Sequence, residues 1–228
     1  MIGATNIGMR IDAVLRASRL TRLDPRPVRG LLSLGLIALC CAIGYGAVMG
    51  TFTGLSPGKS LQIVYSATKV PLLLLVTFGI SLPSFFVIST LLGLRNDWPQ
   101  TMAALLGAQA GLSVILASLA PLTTVWYLSC ADYNLAILFN ALMFAVASGA
   151  SQVILRRHYR ELIARNGRHR LMLRVWLVTY IFVGIQMGWV LRPFIGSPLQ
   201  PVTFFREGAW SNSYEFVGRL IWNAARGH

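Results

Sequence analysis

Val70-Pro-Leu-Leu-Leu-Leu-Val-Thr-Phe-Gly-Ile-Ser-Leu-Pro-Ser-Phe-Phe-Val-Ile-Ser-Thr-Leu-Leu-Gly-Leu94 runs without a single Asp, Glu, His, Lys or Arg. A helix that crosses the hydrocarbon core of a bilayer needs about 20 mostly apolar residues. This block is long enough, so its reading sets the class of the whole chain. Pro71 and Pro83 interrupt it, and a kink is expected near Pro83, where Ser81 and Ser84 can satisfy freed backbone groups.

Working outward, four more apolar blocks appear at about 31–52, 101–127, 135–155 and 175–195, each separated from the next by a polar or Gly/Pro-rich stretch. None of the five carries a charged residue near its middle. The expected fold class is all-α: a polytopic bundle of five transmembrane helices with a short amphipathic helix at each end. Residues 1–30 form a basic cytoplasmic arm, 31–195 the membrane domain and 196–228 an extracytoplasmic tail.

Composition agrees with this. Of 228 residues, 55% are hydrophobic and 12% charged, with mean hydropathy +0.63, whereas about a quarter of residues are charged in soluble domains. The net charge of +13 would suggest nucleic acid in a soluble protein. Here the cations fall between apolar blocks, so nucleic acid is excluded as a partner and the charge is read as topology. In a five-span arrangement fourteen Lys and Arg share the side of the N-terminus and six the other, which puts the N-terminus in the cytoplasm and the C-terminus outside. Cys40, Cys41 and Cys130 lack metal-ligand spacing, so neither a disulfide framework nor a zinc site is expected.

With charge absent from the block centres, three amides stand out: Gln109, Asn140 and Gln186. Two of them sit in the same short pattern, Gly107-Ala-Gln-Ala-Gly111 and Gly184-Ile-Gln-Met-Gly188, and a third Gly-x-x-x-Gly, Gly46 to Gly50, lacks the Gln. Paired small residues let helix backbones approach, and an amide can hydrogen-bond across the gap for about 0.6 kcal/mol. An interhelical clamp is therefore the first reading, and a polar pore lining the second.

Two basic stretches flank the spans. Arg16, Arg19 and Arg22 alternate with apolar residues in the arm, and Arg156 and Arg157 open a run that extends to Arg174. Both stretches suit contact with anionic headgroups. His158 and His169, set among these cations, are read as solvated loop histidines. In the tail, Arg192, Phe204, Phe205, Arg206, Trp210 and Trp222 supply the aromatic and arginine content of a docking surface, with a membrane-interface belt as the plainer reading. No Ser/His pair in adjacent spans, His-Glu-x-x-His helix or aspartate cluster is present, so an enzyme is not expected, nor a cofactor, nor a metal.

The basic arm, the five closely spaced spans and the Gly-rich first and third spans resemble the Yip-type membrane proteins. In particular, Gly44-Tyr-Gly-Ala-Val-Met-Gly50, Lys69-Val-Pro-Leu-Leu73 and Trp189-Val-Leu-Arg-Pro-Phe-Ile-Gly196 look like segments of uncharacterised bacterial inner-membrane proteins grouped with them. The acidic-aromatic motif of eukaryotic Yip proteins is missing, so no role in vesicle traffic carries over. What the resemblance implies is a multi-pass protein of the bacterial inner membrane.

The expected function is non-catalytic: a scaffold or accessory subunit of an inner-membrane complex, touching anionic lipids on the cytoplasmic side and other subunits or itself. The alternatives are a small-solute or ion transporter lined by Gln109, Asn140 and Gln186, and an enzyme acting on lipid headgroups.

Overall fold

The computed structural model describes residues 27–54, 59–197, 200–206, 209–210 and 214. Among them the chain is all-helical, with five long helices: α1 (Pro27–Gly50), α2 (Ser60–Leu91), α3 (Trp98–Ser129), α4 (Tyr133–Arg165) and α5 (Arg168–Val190). All five are long and apolar enough to cross a membrane; this is a multi-pass membrane protein. Arg16, Arg19, Arg22 and Trp222 lie outside the described residues, and so does the expected tail helix apart from Tyr214.

The helices begin and end where local chemistry dictates. Asp132 caps α4, its carboxylate accepting from the backbone N–H groups of Asn134 and Leu135 at 2.8 and 3.0 Å, which answers two of the orphan donors of a first turn. Pro99 opens α3 at a position where a missing N–H costs nothing. Gly93, at φ +73°, turns the chain after α2, a conformation that a side chain would strain.

Helices continue past their expected apolar stretches at the start of α2, the end of α4 and the start of α5, whereas α5 ends before the expected Ile195. α2 starts ten residues before the expected Val70 and contains Lys69. α4 runs past Arg156 and Arg157 to Arg165, and α5 starts at Arg168 and ends at Val190. The expected basic loop is thus two helix ends joined by Asn166 and Gly167. At about 1.5 Å per residue the 33 residues of α4 span about 50 Å, well beyond the ~30 Å core, so its last turns project past the membrane. α2 passes through both Pro71 and Pro83. The Ser81 hydroxyl donates to the Thr77 carbonyl at 2.8 Å rather than to that of Gly79, the group Pro83 leaves without its usual donor.

α3 is the most buried helix, with α1 and α4 against it; α2 lies between α1 and α5. The tightest contact is made by the Gly-x-x-x-Gly that lacks a Gln. A Cβ on Gly46 would overlap the Ser66 carbonyl oxygen, and one on Gly50 would sit 2.5 Å from the Cα of Ile63. These two glycines let α1 and α2 touch backbone to backbone, a contact favoured in lipid because dispersion replaces the missing hydrophobic drive. α4 and α5 are consecutive but make few contacts with each other, which leaves the bundle parted along that seam.

At the α4–α5 turn the helices are tied to the α2–α3 turn by polar groups. His169, 1% exposed, pairs with the Asp97 carboxylate at 3.0 Å, and its ring meets Tyr159 edge-on. Arg168 donates to the Leu92 carbonyl at 3.0 Å and Arg165 to Gln100 at 3.1 Å. His158 lies within α4, its Nδ1 3.0 Å from the Ile154 carbonyl oxygen and its ring 3.7 Å from where a Gly107 Cβ would stand. The reading of both histidines as solvated loop residues is therefore wrong. The long helices turn them inward, and the acidic partner of His169 comes from a segment 72 residues away.

Candidate functional site

Between α4 and α5 lies a cleft of about 1160 Å³, larger than the 300–1,000 Å³ common for small-ligand pockets. α4 lines it from Tyr133 to Arg156, a run of about 35 Å at 1.5 Å per residue, which matches the height of the hydrocarbon core. The wall is apolar for most of this length, with Ile137, Phe144, Ile181 and Ile185 among its residues. Small residues recur at helical spacing on both sides: Ala141, Ala145 and Gly149 on α4, Gly184 and Gly188 on α5. A Cβ added to Gly149 or Gly188 would meet nothing within 4 Å. These glycines hold no helix against them; they widen the cleft.

Each end of the cleft is cationic. At one end Arg156 and Gln152 also line a smaller cavity of about 440 Å³, shared with Arg160, Arg170 and Arg174. Arg157 is exposed on the neighbouring surface and lines neither cavity. At the other end stand Arg192, Pro193 and Arg206. The Arg192 guanidinium lies over the Trp189 ring, 3.4 Å from its centroid, and its Nε is buried without a hydrogen-bond partner. Desolvation, followed by the nearby charge of Arg206, pushes Arg192 below the ordinary arginine range, yet a guanidinium stays protonated. Arg206 donates to the Tyr133 hydroxyl at 3.0 Å.

The segment that carries Arg192 is held from behind by α2. Gln62, Ser66 and Lys69, four and three residues apart on one face of that helix, are all fully buried. The Lys69 ammonium donates to the Pro193 carbonyl at 2.7 Å and lies 4.8 Å from the centre of the Phe204 ring. Ser66 donates to the Phe194 carbonyl, as does Gln62 at 3.3 Å. Gly196 completes the fit, since a Cβ there would come within 2.9 Å of Thr53 Cγ2. Lys69 is the buried cation beside the cleft that the sequence reading does not single out. It stands just ahead of the apolar block, and its i−7 and i−3 neighbours Gln62 and Ser66 form a polar stripe that marks the helix.

The three amides are placed differently from one another. Gln109 bridges helices: its Nε2 donates to the Leu74 carbonyl at 3.2 Å, and its Oε1 accepts from the Tyr180 hydroxyl at 2.8 Å. Asn140 accepts from the Tyr45 hydroxyl at 3.2 Å and donates to the Tyr127 hydroxyl at 2.6 Å and the Ala136 carbonyl at 2.8 Å. It ties α1, α3 and α4 together and also lines the cleft. Gln186 is half-buried on α5, outside the cleft wall. Of the glycines in the two Gly-x-Gln-x-Gly patterns, Gly107 and Gly111 are buried in α3, and Gly184 faces Thr77 Cγ2 at 3.5 Å.

The expected docking surface divides in two. Phe204 turns inward against Tyr65 and over Lys69, and Arg192 and Arg206 belong to the cleft. Phe205 and Trp210 remain exposed, 5.8 Å apart between ring centres. Tyr214 stacks on Phe182 and donates its hydroxyl to the Phe182 carbonyl at 2.7 Å. Among the described residues no group of His, Cys, Asp or Glu could hold a metal ion. Comparison with protein-family models, curated proteins and solved structures returns no match.

Proposed function

We propose that this is a non-catalytic accessory protein of the bacterial inner membrane that holds a lipid-like amphiphile in the α4–α5 cleft. The observation that carries this reading is the shape and polarity of the cleft: as tall as the hydrocarbon core, mostly apolar with Thr77, Asn140, Ser148 and Tyr180 interspersed, and cationic at both ends. An aqueous pathway calls for polar groups along its middle, whereas alkyl chains need only an apolar wall, and burying them stabilises by about 0.8 kcal/mol per CH₂ in water-referenced terms. Inside a bilayer that gain shrinks, because lipid tails are as apolar as the wall. Selectivity must then come from the charged ends. The excess of Lys and Arg on the N-terminal side supports a cytoplasmic N-terminus, so that Arg156 faces the cytoplasm and Arg192 the outside.

Filling the cleft tests this. Gly188→Phe and Gly149→Phe each add a ring where a Cβ meets open space, so the helices need not move. Lipid extracted with the purified protein in mild detergent should fall several-fold in both variants. Unchanged lipid retention in both would sink the reading.

A second reading is favoured by one observation, the small residues at four-residue spacing on both walls. Such stripes accept a helix backbone, and a transmembrane segment of a larger assembly would then fill the cleft. The same variants distinguish the two, because they would release a protein partner and leave lipid content unchanged.

A further inference from the structure

Resting on the lipid reading of the cleft, we infer that Arg192 and Arg206 form a headgroup site for an anionic phospholipid, with the phosphate held between the two guanidinium groups and the acyl chains lying along α4 and α5. Three observations carry it. The Arg192 guanidinium lies over the Trp189 ring, and its buried Nε has no partner among the described residues. A buried donor left unmade costs about 1–3 kcal/mol, more when charged, and phosphate oxygens are the acceptors that a guanidinium fork fits bidentately.

The second observation is charge without counter-charge. Lys69, Arg192 and Arg206 share one neighbourhood, the charge of Arg206 acting on both others, and among the described residues no carboxylate pairs with any of them. Three gathered cations repel one another in a low dielectric, and an anion between them offsets that repulsion. The third is position. Both arginines stand in the wall at the mouth of the cleft, beside Tyr133, whose hydroxyl already orients Arg206. Beyond them the wall turns apolar, at Ile137 one helical turn past Tyr133 and at Ile185 about two turns before Arg192. Charge at the mouth and hydrocarbon behind it is the order in which a phospholipid presents its own groups. Lys69 acts from the rear, holding the Pro193 carbonyl and with it the backbone that aims Arg192.

The test uses the purified full-length chain in detergent, titrated with dioleoylphosphatidylglycerol or dioleoylphosphatidylcholine and read by native mass spectrometry. The wild type should retain the anionic lipid about tenfold better, equivalent to about 1.4 kcal/mol. Arg192→Gln and Arg206→Gln should each lower that ratio several-fold, and together bring it near one, while the neutral lipid still binds. Arg95→Gln, exposed in the α2–α3 turn and in neither cavity, should leave the ratio unchanged. Arg206 lies outside every helix, so its variant keeps the test open should Arg192→Gln fail to fold.

Equal retention of the two lipids by the wild type, survival of the preference in the double variant, or its loss in Arg95→Gln alone would each overturn the headgroup site. Gly188→Phe separates this from the broader reading. If it expels both lipids while the arginine variants keep the preference, the cleft stands and only the site proposed here falls.

Discussion

Replacing Lys69 with methionine removes one charge from the interior and keeps nearly the same length of apolar stem. Its ammonium makes a 2.7 Å hydrogen bond to the Pro193 carbonyl and lies 4.8 Å from the Phe204 ring centre. A hydrogen bond to a charged group contributes about 1.5–3 kcal/mol net, and a partly desolvated cation over an aromatic ring about 0.5–2 kcal/mol. Against these stands the desolvation of the ammonium and its repulsion by Arg206, which the substitution relieves. The balance leaves a loss of about 1–3 kcal/mol, concentrated in the segment from Arg192 to Gly196, because Ser66 and Gln62 still hold the Phe194 carbonyl. Thermal unfolding in detergent, read by size-exclusion fluorescence, should show a lowered midpoint. A double-mutant cycle with Phe204→Leu should show coupling, since part of the loss is shared with that ring. The reasoning is refuted if Lys69→Met unfolds at or above the wild-type midpoint, which would mean that burying the ammonium outweighs its contacts.

Further outcomes follow from the packing and the topology. Gly50→Leu should destabilise by about 1–3 kcal/mol or more, because its Cβ would stand 2.5 Å from the Cα of Ile63 and overpacking forces backbone shifts; Gly149→Leu should unfold no earlier than wild type in the same melt, since helix propensity improves and nothing obstructs the side chain. Asn140→Leu breaks three hydrogen bonds, two of which join α4 to α1 and α3, and, at about 0.6 kcal/mol per intramembrane polar contact, should cost about 1–2 kcal/mol by denaturant titration. Alkaline phosphatase fused after His228 should be active in cells and inactive when fused after Asn166, and the reverse pattern would invert the orientation.

The five spans were legible because membrane insertion is decided by local composition: a block of about 20 apolar residues must find hydrocarbon whatever its neighbours are. The same locality explains what was misread. Where an apolar block ends, the helix need not, because backbone hydrogen bonding continues into the headgroup region. α2 therefore took in Lys69, and α4 and α5 converted a presumed loop into helix ends that bury His169.

The Gly-x-x-x-Gly patterns teach a related lesson. All three are equally visible in the sequence, but Gly46 and Gly50 bring two backbones together, while Gly188 faces an open cleft. Which face of a helix a glycine occupies is readable; which helix stands opposite is not. Gln109 shows the same limit, since its clamp role depends on Leu74 and Tyr180, which come from two other helices.

By itself, then, the sequence determined the number of spans, the class and the excess of positive charge on one side, all of which are sums over local residues. The tertiary structure alone decided that α4 and α5 part to form a cleft, and that Lys69, Arg192 and Arg206 gather near its mouth. That gathering depends on distance in space between residues up to 137 positions apart, and no local composition encodes it.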